Sequence, residues 1–244
     1  MRWTGNGLPD GTLITTTPMA NTAGNGDTVA RAVTGTSTLT TRGDGFEYTG
    51  SSSSLGRFDI LSASSQAYVF QFFYTPGIVP TGGIESVLYV CNSSLTRIFS
   101  FVHQVSNFFY PFPVTGSPPG TPVTPLNNRY QVDVILALSA VPTTTNGRYV
   151  VKVRNLTNPS WNTTGEFFVD SGYSVNLGTT DIAGVAQAIR YGKNNTGDLT
   201  GGVQLLEQIG WNPITVNPAD LSRAKIEPYF MASPYTANVG WLGA

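Results

Sequence analysis

A pair of carboxylates would indicate a glycosidase, because two acids at the right separation can hydrolyse a glycosidic bond. Retaining glycosidases hold these carboxyl groups about 5–5.5 Å apart and inverting ones about 6.5–9.5 Å apart. The chain contains no Glu-x-Asp or Glu-x-Glu pair, which one strand face would hold about 6.6 Å apart. Glu166 and Asp170 come nearest, but they are four positions apart, which is about 13 Å along a strand. A pair of carboxyl groups brought together from different strands is the one possibility that the sequence leaves open.

Nucleophilic catalysis would need the single histidine, His103, as its general base. No Gly-x-Ser-x-Gly motif occurs, so the sequence does not indicate a serine hydrolase. The single cysteine, Cys91, lies in an apolar run and is typical of a small buried core residue. We therefore predict no catalytic residue among these side chains.

Metal ligands are equally sparse, because the chain offers one histidine, one cysteine and no Asp-x-Asp cluster. Asp10, Asp27 and Asp44 each neighbour a glycine, a pattern that is typical of turns. We predict no metal site and no cofactor. A calcium ion held by one of these loops is the alternative that this pattern leaves open.

Aromatic residues in loops are the remaining candidates, because exposed rings stack on sugars or anchor protein partners. Phe108 and Phe109 lead into a proline-rich segment, and we expect these two rings to cover the edge of the core. Three further aromatic residues are predicted to bind a ligand: Tyr110, Phe112 and Trp161. The alternative for these three residues is the same structural role at the core's edge.

Composition excludes several classes of partner. Charged residues make up 11% of the chain and the net charge is −1, whereas about 25% charged residues is usual in soluble domains. The basic residues are few and scattered, so we expect no nucleic-acid partner. No run of about 18 apolar residues occurs, so we expect no membrane insertion. The residues after Met1 form no apolar signal segment.

Short, alternating, β-branched segments predict an all-β fold made of one sandwich domain over residues 1–244. Residues 67–74 are apolar at almost every position, which indicates a strand covered on both faces. Residues 148–154 alternate between polar and apolar side chains, and we expect their polar face to be solvated. Residues 188–193 and 203–209 are predicted to form the last hairpin.

Three further segments depart from this strand pattern. Residues 217–225 predict one short C-terminal helix, because Asn217 can cap it and Pro218 suits its first position. Residues 108–128 are predicted to form a proline-rich loop. Residues 229–244 form an apolar C-terminal tail, which we expect to dock on the sandwich or on a partner subunit.

Several short motifs resemble concanavalin A-like or laminin-G-like domains in virion proteins of phages that infect actinobacteria. The motifs that carry the resemblance are Trp3-Thr4-Gly5, Gly11-Thr12-Leu13-Ile14-Thr15, Asn25-Gly26-Asp27, Tyr130-Gln131-Val132-Asp133-Val134, Ile189-Arg190-Tyr191-Gly192-Lys193 and Gly240-Trp241-Leu242-Gly243-Ala244. Such domains commonly carry an acidic pair in the strand after the Gly-Lys turn. This chain has Glu207-Gln208 there, so no role of that pair is transferred.

The resemblance implies a two-sheet antiparallel jelly-roll sandwich in a non-enzymatic bacteriophage virion structural protein. We expect a tail or tail-tip component that mediates subunit contacts or host-surface adhesion. The alternatives are a capsid-decoration or head-fibre protein, a carbohydrate-binding module or lectin, and, less favoured, a glycan-degrading enzyme. The expected partners are other virion proteins, host cell-surface glycan and further copies of the chain in a homo-oligomer. The expected location is the virion, after synthesis in the bacterial cytoplasm.

Overall fold

The computed structural model describes part of the chain, and this part is all-β without a helix. The described residues are 2–3, 9–12, 19–20, 28–29, 38–42, 45–49, 55–59, 67–77, 79, 84–91, 97–104, 107, 109–112, 123–138, 146–161, 166–170, 175–176, 188–192 and 204–213. Their strands are β1 (Arg2–Trp3), β2 (Met19–Ala20), β3 (Thr28–Val29), β4 (Thr38–Arg42), β5 (Gly45–Thr49), β6 (Leu55–Asp59), β7 (Ala67–Pro76), β8 (Ile84–Cys91), β9 (Arg97–Gln104), β10 (Phe109–Phe112), β11 (Tyr130–Leu138), β12 (Asn146–Asn155), β13 (Glu166–Asp170), β14 (Val175–Asn176), β15 (Ala188–Gly192) and β16 (Gln204–Pro213).

The described strands form two large sheets and one small pair. The nine-stranded sheet has the order β13-β12-β11-β7-β16-β5-β4, with β1 beside β16 and β14 beside β12. The five-stranded sheet has the order β10-β9-β8-β15-β6, and β2 pairs with β3. All pairings among the described strands are antiparallel, which confirms the predicted all-β, antiparallel class.

Aromatic side chains join the nine-stranded sheet to the five-stranded sheet. Phe72 of β7 meets Phe101 of β9 edge to face, with ring centroids 5.7 Å apart. Phe109 of β10 contacts Tyr74 of β7 at 5.8 Å and Tyr130 of β11 at 5.0 Å. All five rings are at most 2% exposed. These buried edge-to-face contacts form the aromatic layer, which is the apolar core between the two sheets.

The central strands of the nine-stranded sheet are covered on both faces. Six successive residues of β7, from Val69 to Tyr74, are at most 2% exposed, which confirms the prediction for this strand. The prediction that β12 has a solvated face is wrong. Val150 is fully buried and Lys152 is 7% exposed on the face that was expected to contact water. Sequence alternation identifies two faces of a strand but does not show whether other parts of the chain cover them.

Two predicted connections are also corrected. The strands predicted as the last hairpin exist, but β15 pairs with β8 and β6, whereas β16 pairs with β7 and β5. The chain therefore passes from one sheet to the other between these two strands. Within the predicted loop 108–128, residues Phe109–Phe112 form the edge strand β10, where the missing N–H of Pro111 is tolerated. The predicted helix 217–225 and tail 229–244 lie outside the described residues.

Truncation of Phe101 should test whether the aromatic layer holds the two sheets together. We expect Phe101→Ala to lower the free energy of unfolding by about 3–5 kcal/mol, because it removes a fully buried ring and leaves a cavity. Val123→Ala, at a residue that is 65% exposed, should change that free energy by less than about 0.5 kcal/mol. Urea unfolding measures both variants, and equal effects would contradict the proposed core.

Candidate functional site

Five polar side chains lie on the face of the nine-stranded sheet that is opposite the aromatic layer. They come from three adjacent strands, and we call them the polar cluster: Gln71, Gln131, Asp133, Lys152 and Arg154. The Cα register pairs Asp133 with Gln71 on one side and with Lys152 on the other. It also pairs Gln131 with Arg154. Because side chains alternate along a strand, all five share one face while their immediate neighbours fill the aromatic layer.

Hydrogen bonds converge on the carboxylate of Asp133. The Nε2 group of Gln71 donates to Asp133 Oδ1. The Nε2 group of Gln131 lies 3.2 Å from Oδ1 and 2.9 Å from Oδ2 of the same carboxylate. Arg154 Nη2 donates to Gln131 Oε1 at 2.8 Å and lies 3.9 Å from Asp133 Oδ2. Two amides and one guanidinium therefore set the position of this acid.

Burial gives Asp133 a proton affinity that is unusual for an aspartate. The residue is 1% exposed, and loss of hydration raises its pKa from 3.8 to about 6. The hydrogen bond from Gln71, the charge of Arg154, the hydrogen bond from Gln131 and the charge of Lys152 all oppose this rise. Desolvation exceeds their combined effect. A carboxyl group that titrates close to neutral pH can both accept and donate a proton.

A cation and a ring extend this face beside the polar cluster. Phe73 is fully buried, and the guanidinium carbon of Arg129 lies 4.6 Å from the centre of its ring. The backbone of Arg129 is held by the 155–161 loop. Its N–H donates to Thr157 Oγ1 at 2.9 Å, and its carbonyl accepts from the N–H of Leu156 at 2.8 Å. The end of the polar face is thus tied to a neighbouring loop.

Trp161, one of the predicted ligand-binding residues, is buried in the described structure. The side chain is 5% exposed, and its ring meets Tyr130 edge to face at 5.3 Å. Its Nε1–H donates to the carbonyl of Val123 at 2.7 Å. The indole therefore joins the 123–129 segment to the core, and its ring is not offered to a sugar in this arrangement.

Tyr110 and Phe112, the other two predicted ligand-binding residues, lie in β10. Their Cα partners on β9 are Val102 and Ser100. The positions of both side chains lie outside the described part of the structure. Their role in binding a ligand stays a prediction.

His103 is a core residue and does not pair with Cys91. The register aligns Cys91 with Arg97, so six residues of β9, or about 20 Å, separate the cysteine from the histidine. His103 is fully buried against Tyr74 and Phe109. Burial lowers its pKa to about 4, although Nε2 donates to Asn107 Oδ1 at 3.0 Å, a bond that raises the pKa. A neutral imidazole so placed positions the turn at Asn107.

Metal ligands do not converge within the part of the chain that the structure describes. No group of three His, Cys, Asp or Glu side chains occurs among those residues. Asp10 lies in an exposed turn, as predicted, where the Thr12 N–H donates to the Pro9 carbonyl and Gly11 has a φ of +80°. Asp27 and Asp44 lie outside the described residues, so a loop calcium ion stays a prediction.

Among the described residues, no helix is both long enough and apolar enough to cross a bilayer.

Sequence reasoning missed the polar cluster, although its signal is visible in the sequence. Gln71 interrupts an apolar run in β7, and Asp133 interrupts another in β11. An amide or acid side chain in a buried strand needs a hydrogen-bond partner, which a polar residue at the paired position of the next strand can supply. Pairing such interruptions between strands requires the register, which only the structure supplies.

Comparisons with known proteins give similarity in fold only. No protein-family model matches the chain, and no curated protein matches it in sequence. A Trypanosoma rangeli sialidase in complex with 2,3-difluorosialic acid superposes with a TM-score of 0.50 and 11% identity, over 78% of this chain and 28% of the sialidase. Another structure of that sialidase superposes with a TM-score of 0.50 and 10% identity, over 79% of this chain and 28% of the sialidase. An alginate lyase in complex with an alginate trisaccharide superposes with a TM-score of 0.49 and 11% identity, over 85% of this chain and 100% of the lyase.

The sialidase structures correct the expectation of a non-enzymatic protein. That expectation combined a β fold with the lack of a catalytic set in the sequence, whereas the solved structures with a similar fold belong to enzymes. The chain spans just over a quarter of the sialidase, 28%, so the likeness concerns one part of that protein. The lack of a linear motif did not justify that expectation, because acids that converge from different strands leave no motif in the linear sequence.

Asp133 should make stability depend on pH. Because its folded pKa, about 6, exceeds the ordinary 3.8, its stabilising contribution is complete below pH 4 and is lost as the pH rises through 6. A shift of about two units corresponds to roughly 3 kcal/mol. We expect Asp133→Asn to remove this slope from urea unfolding measured between pH 4 and 7. Asp10→Asn, which removes an exposed carboxylate, is the control, and an unchanged slope in Asp133→Asn would contradict the assignment.

A substitution series at Trp161 should separate its structural role from ligand binding. We expect Trp161→Phe to lower the free energy of unfolding by about 0.5–1.5 kcal/mol, because it removes the hydrogen bond to Val123 and keeps a ring. Trp161→Ala should lower it by about 3–5 kcal/mol, because the buried ring is lost as well. Thermal or urea unfolding measures both, and wild-type stability of Trp161→Ala would refute the structural role.

Proposed function

We propose that this chain is a concanavalin A-like jelly-roll sandwich of a bacteriophage particle that binds a glycan of the host surface. The polar cluster is the proposed binding site. The observation that carries the proposal is the side chain of Arg154, which is 22% exposed and is held in place by the buried Gln131 and Asp133. A guanidinium so held can donate to sugar hydroxyls.

The rigidity of the site supports this proposal. The five residues of the polar cluster lie on three hydrogen-bonded strands, so their backbones are held by the sheet. Mutual hydrogen bonds also restrict four of the five side chains, those of Gln71, Gln131, Asp133 and Arg154, which lowers the entropy lost when a ligand binds. A buried charge that is kept in a β core is costly, which favours a role in binding or chemistry.

The placement on a phage particle rests on the sequence. Its motifs resemble virion domains, and its low charge suits a protein that makes close contacts without a strong long-range field. Other virion proteins and further copies of the chain are the proposed protein partners. The tail or tail tip is the proposed position, and decoration of the capsid is the alternative. Electron microscopy of particles labelled with an antibody against the chain distinguishes the two positions.

Arg154→Gln tests the proposed glycan site. Removing hydrogen bonds to a charged group loses about 1.5–3 kcal/mol, so we expect the dissociation constant to rise about 10- to 100-fold. The measurement is a glycan array with the purified chain, followed by titration calorimetry on the glycan that binds. Arg97→Gln, a matched change in the five-stranded sheet, should bind as the wild type does. Equal binding by all three proteins would refute the site.

A further inference from the structure

Gln131 lies between an acid and a guanidinium in the polar cluster, and each of these neighbours fixes one end of its amide. Its Oε1 accepts from Arg154 Nη2 at 2.8 Å, and its Nε2 lies 2.9 Å from Asp133 Oδ2. A guanidinium only donates hydrogen bonds, and an ionised carboxylate only accepts them. One orientation of the amide therefore satisfies both neighbours, and it requires that Asp133 is ionised.

A proton on Asp133 brings the two neighbours of this amide into competition. A protonated carboxyl group carries an O–H donor, whereas the amides of Gln71 and Gln131 both present N–H groups to it. To accept from that O–H, the amide of Gln131 must turn and take its Oε1 away from Arg154. The attraction between Arg154 Nη2 and Asp133 Oδ2, which lie 3.9 Å apart, is lost at the same time.

Arg154 is the member of this trio that carries such a change toward solvent. Its side chain is 22% exposed, whereas Gln131 and Asp133 are at most 1% exposed. A change in the buried pair therefore alters how firmly a half-buried guanidinium is held, and a loosely held side chain loses more entropy when it binds a ligand.

We infer that Gln131 is a positioning residue that transmits the protonation state of Asp133 to Arg154, so that the proposed site binds its glycan more tightly at neutral than at mildly acidic pH. This inference rests on the proposed glycan-binding function for its ligand, whereas the coupling of the three side chains rests on their geometry. Burial raises the pKa of Asp133 to about 6, which puts the change between about pH 5 and pH 7.

Other charged residues share this face and must be separated from Asp133. Among the described strands and the segment before β11, four further charged residues occupy positions on it: Arg129, Lys152, Glu166 and Glu207. β7 contributes the neutral Gln71 opposite Asp133. Glu166 is the Cα partner of Arg154 on β13, so it is the acid whose titration must be distinguished from that of Asp133.

The mobility of the Arg154 side chain measures the coupling without a ligand. Nitrogen-15 relaxation of its Nε–Hε group, assigned by the signal that Arg154→Gln lacks, is followed from about pH 5 to about pH 8. We expect the wild type to restrain this group above about pH 6 and to release it below. In Gln131→Met the group should be mobile at every pH, because the acceptor at 2.8 Å is gone. In Asp133→Asn the response to pH should be absent.

Two control variants identify the groups responsible. Gln71→Met removes the amide that donates to the same carboxylate from β7. It should keep the response and move its midpoint to higher pH, because the bond from Gln71 lowers the pKa of Asp133. Glu166→Gln should keep the wild-type midpoint. Wild-type mobility that does not change with pH would overturn the inference even where a variant fails to fold, and so would wild-type behaviour of Gln131→Met.

Titration calorimetry then connects the coupling to the proposed binding. On a glycan selected by the array, we expect the wild-type Kd to be about 3- to 10-fold lower at neutral pH than at mildly acidic pH, the effect of about one hydrogen bond. Gln131→Met should bind with the weaker affinity at both. Glycan binding that is independent of pH would overturn the inference and leave the proposed site standing. A pH-dependent Arg154 in a chain that binds no glycan would refute the proposed function and leave the coupling standing.

Discussion

The burial of one carboxylate constrains the centre of this protein. Asp133 is 1% exposed, and an acid so placed is tolerated only where hydrogen bonds and opposite charge replace its hydration. Gln71 on β7, Gln131 on β11 and Arg154 on β12 supply them. A slip of one residue between these strands would move Asp133 into the aromatic layer. The polar cluster therefore specifies the register of the three strands as well as the chemistry of the face opposite the aromatic layer.

The two faces of the nine-stranded sheet have different roles. The face toward the five-stranded sheet packs on rings such as Phe101 and Phe109. Phe72 meets Phe101 edge to face, and the rings of Phe101 and Phe109 are tilted to each other. The opposite face carries the polar cluster. A rigid apolar layer beneath a polar face holds polar groups in place more precisely than loops do. A chain with 11% charged residues thus concentrates several polar groups on one sheet face.

The similarity in fold does not identify the function of this protein. The superposition on the sialidases concerns architecture, since 11% identity transfers no residue from one chain to the other. What the similarity changes is the starting assumption, because a β fold without a linear catalytic motif is compatible with an enzyme. Function must then be argued from the site, and the proposed site is a sheet face to which three adjacent strands contribute, β12, β11 and β7.

The sequence alone determined the class of fold and the burial of β7 on both faces. The apolar run of β7 and the alternation of β12 are local patterns, and local patterns survive in a linear sequence. Only the tertiary structure decided that the polar face of β12 is covered, that β15 and β16 belong to different sheets, and that Trp161 is buried. It also decided which polar residues meet, because pairing between strands depends on register and sheet order. Those are properties of the whole fold, so Asp133 and Gln71, 62 residues apart in the chain, could not be joined by inspecting either strand alone.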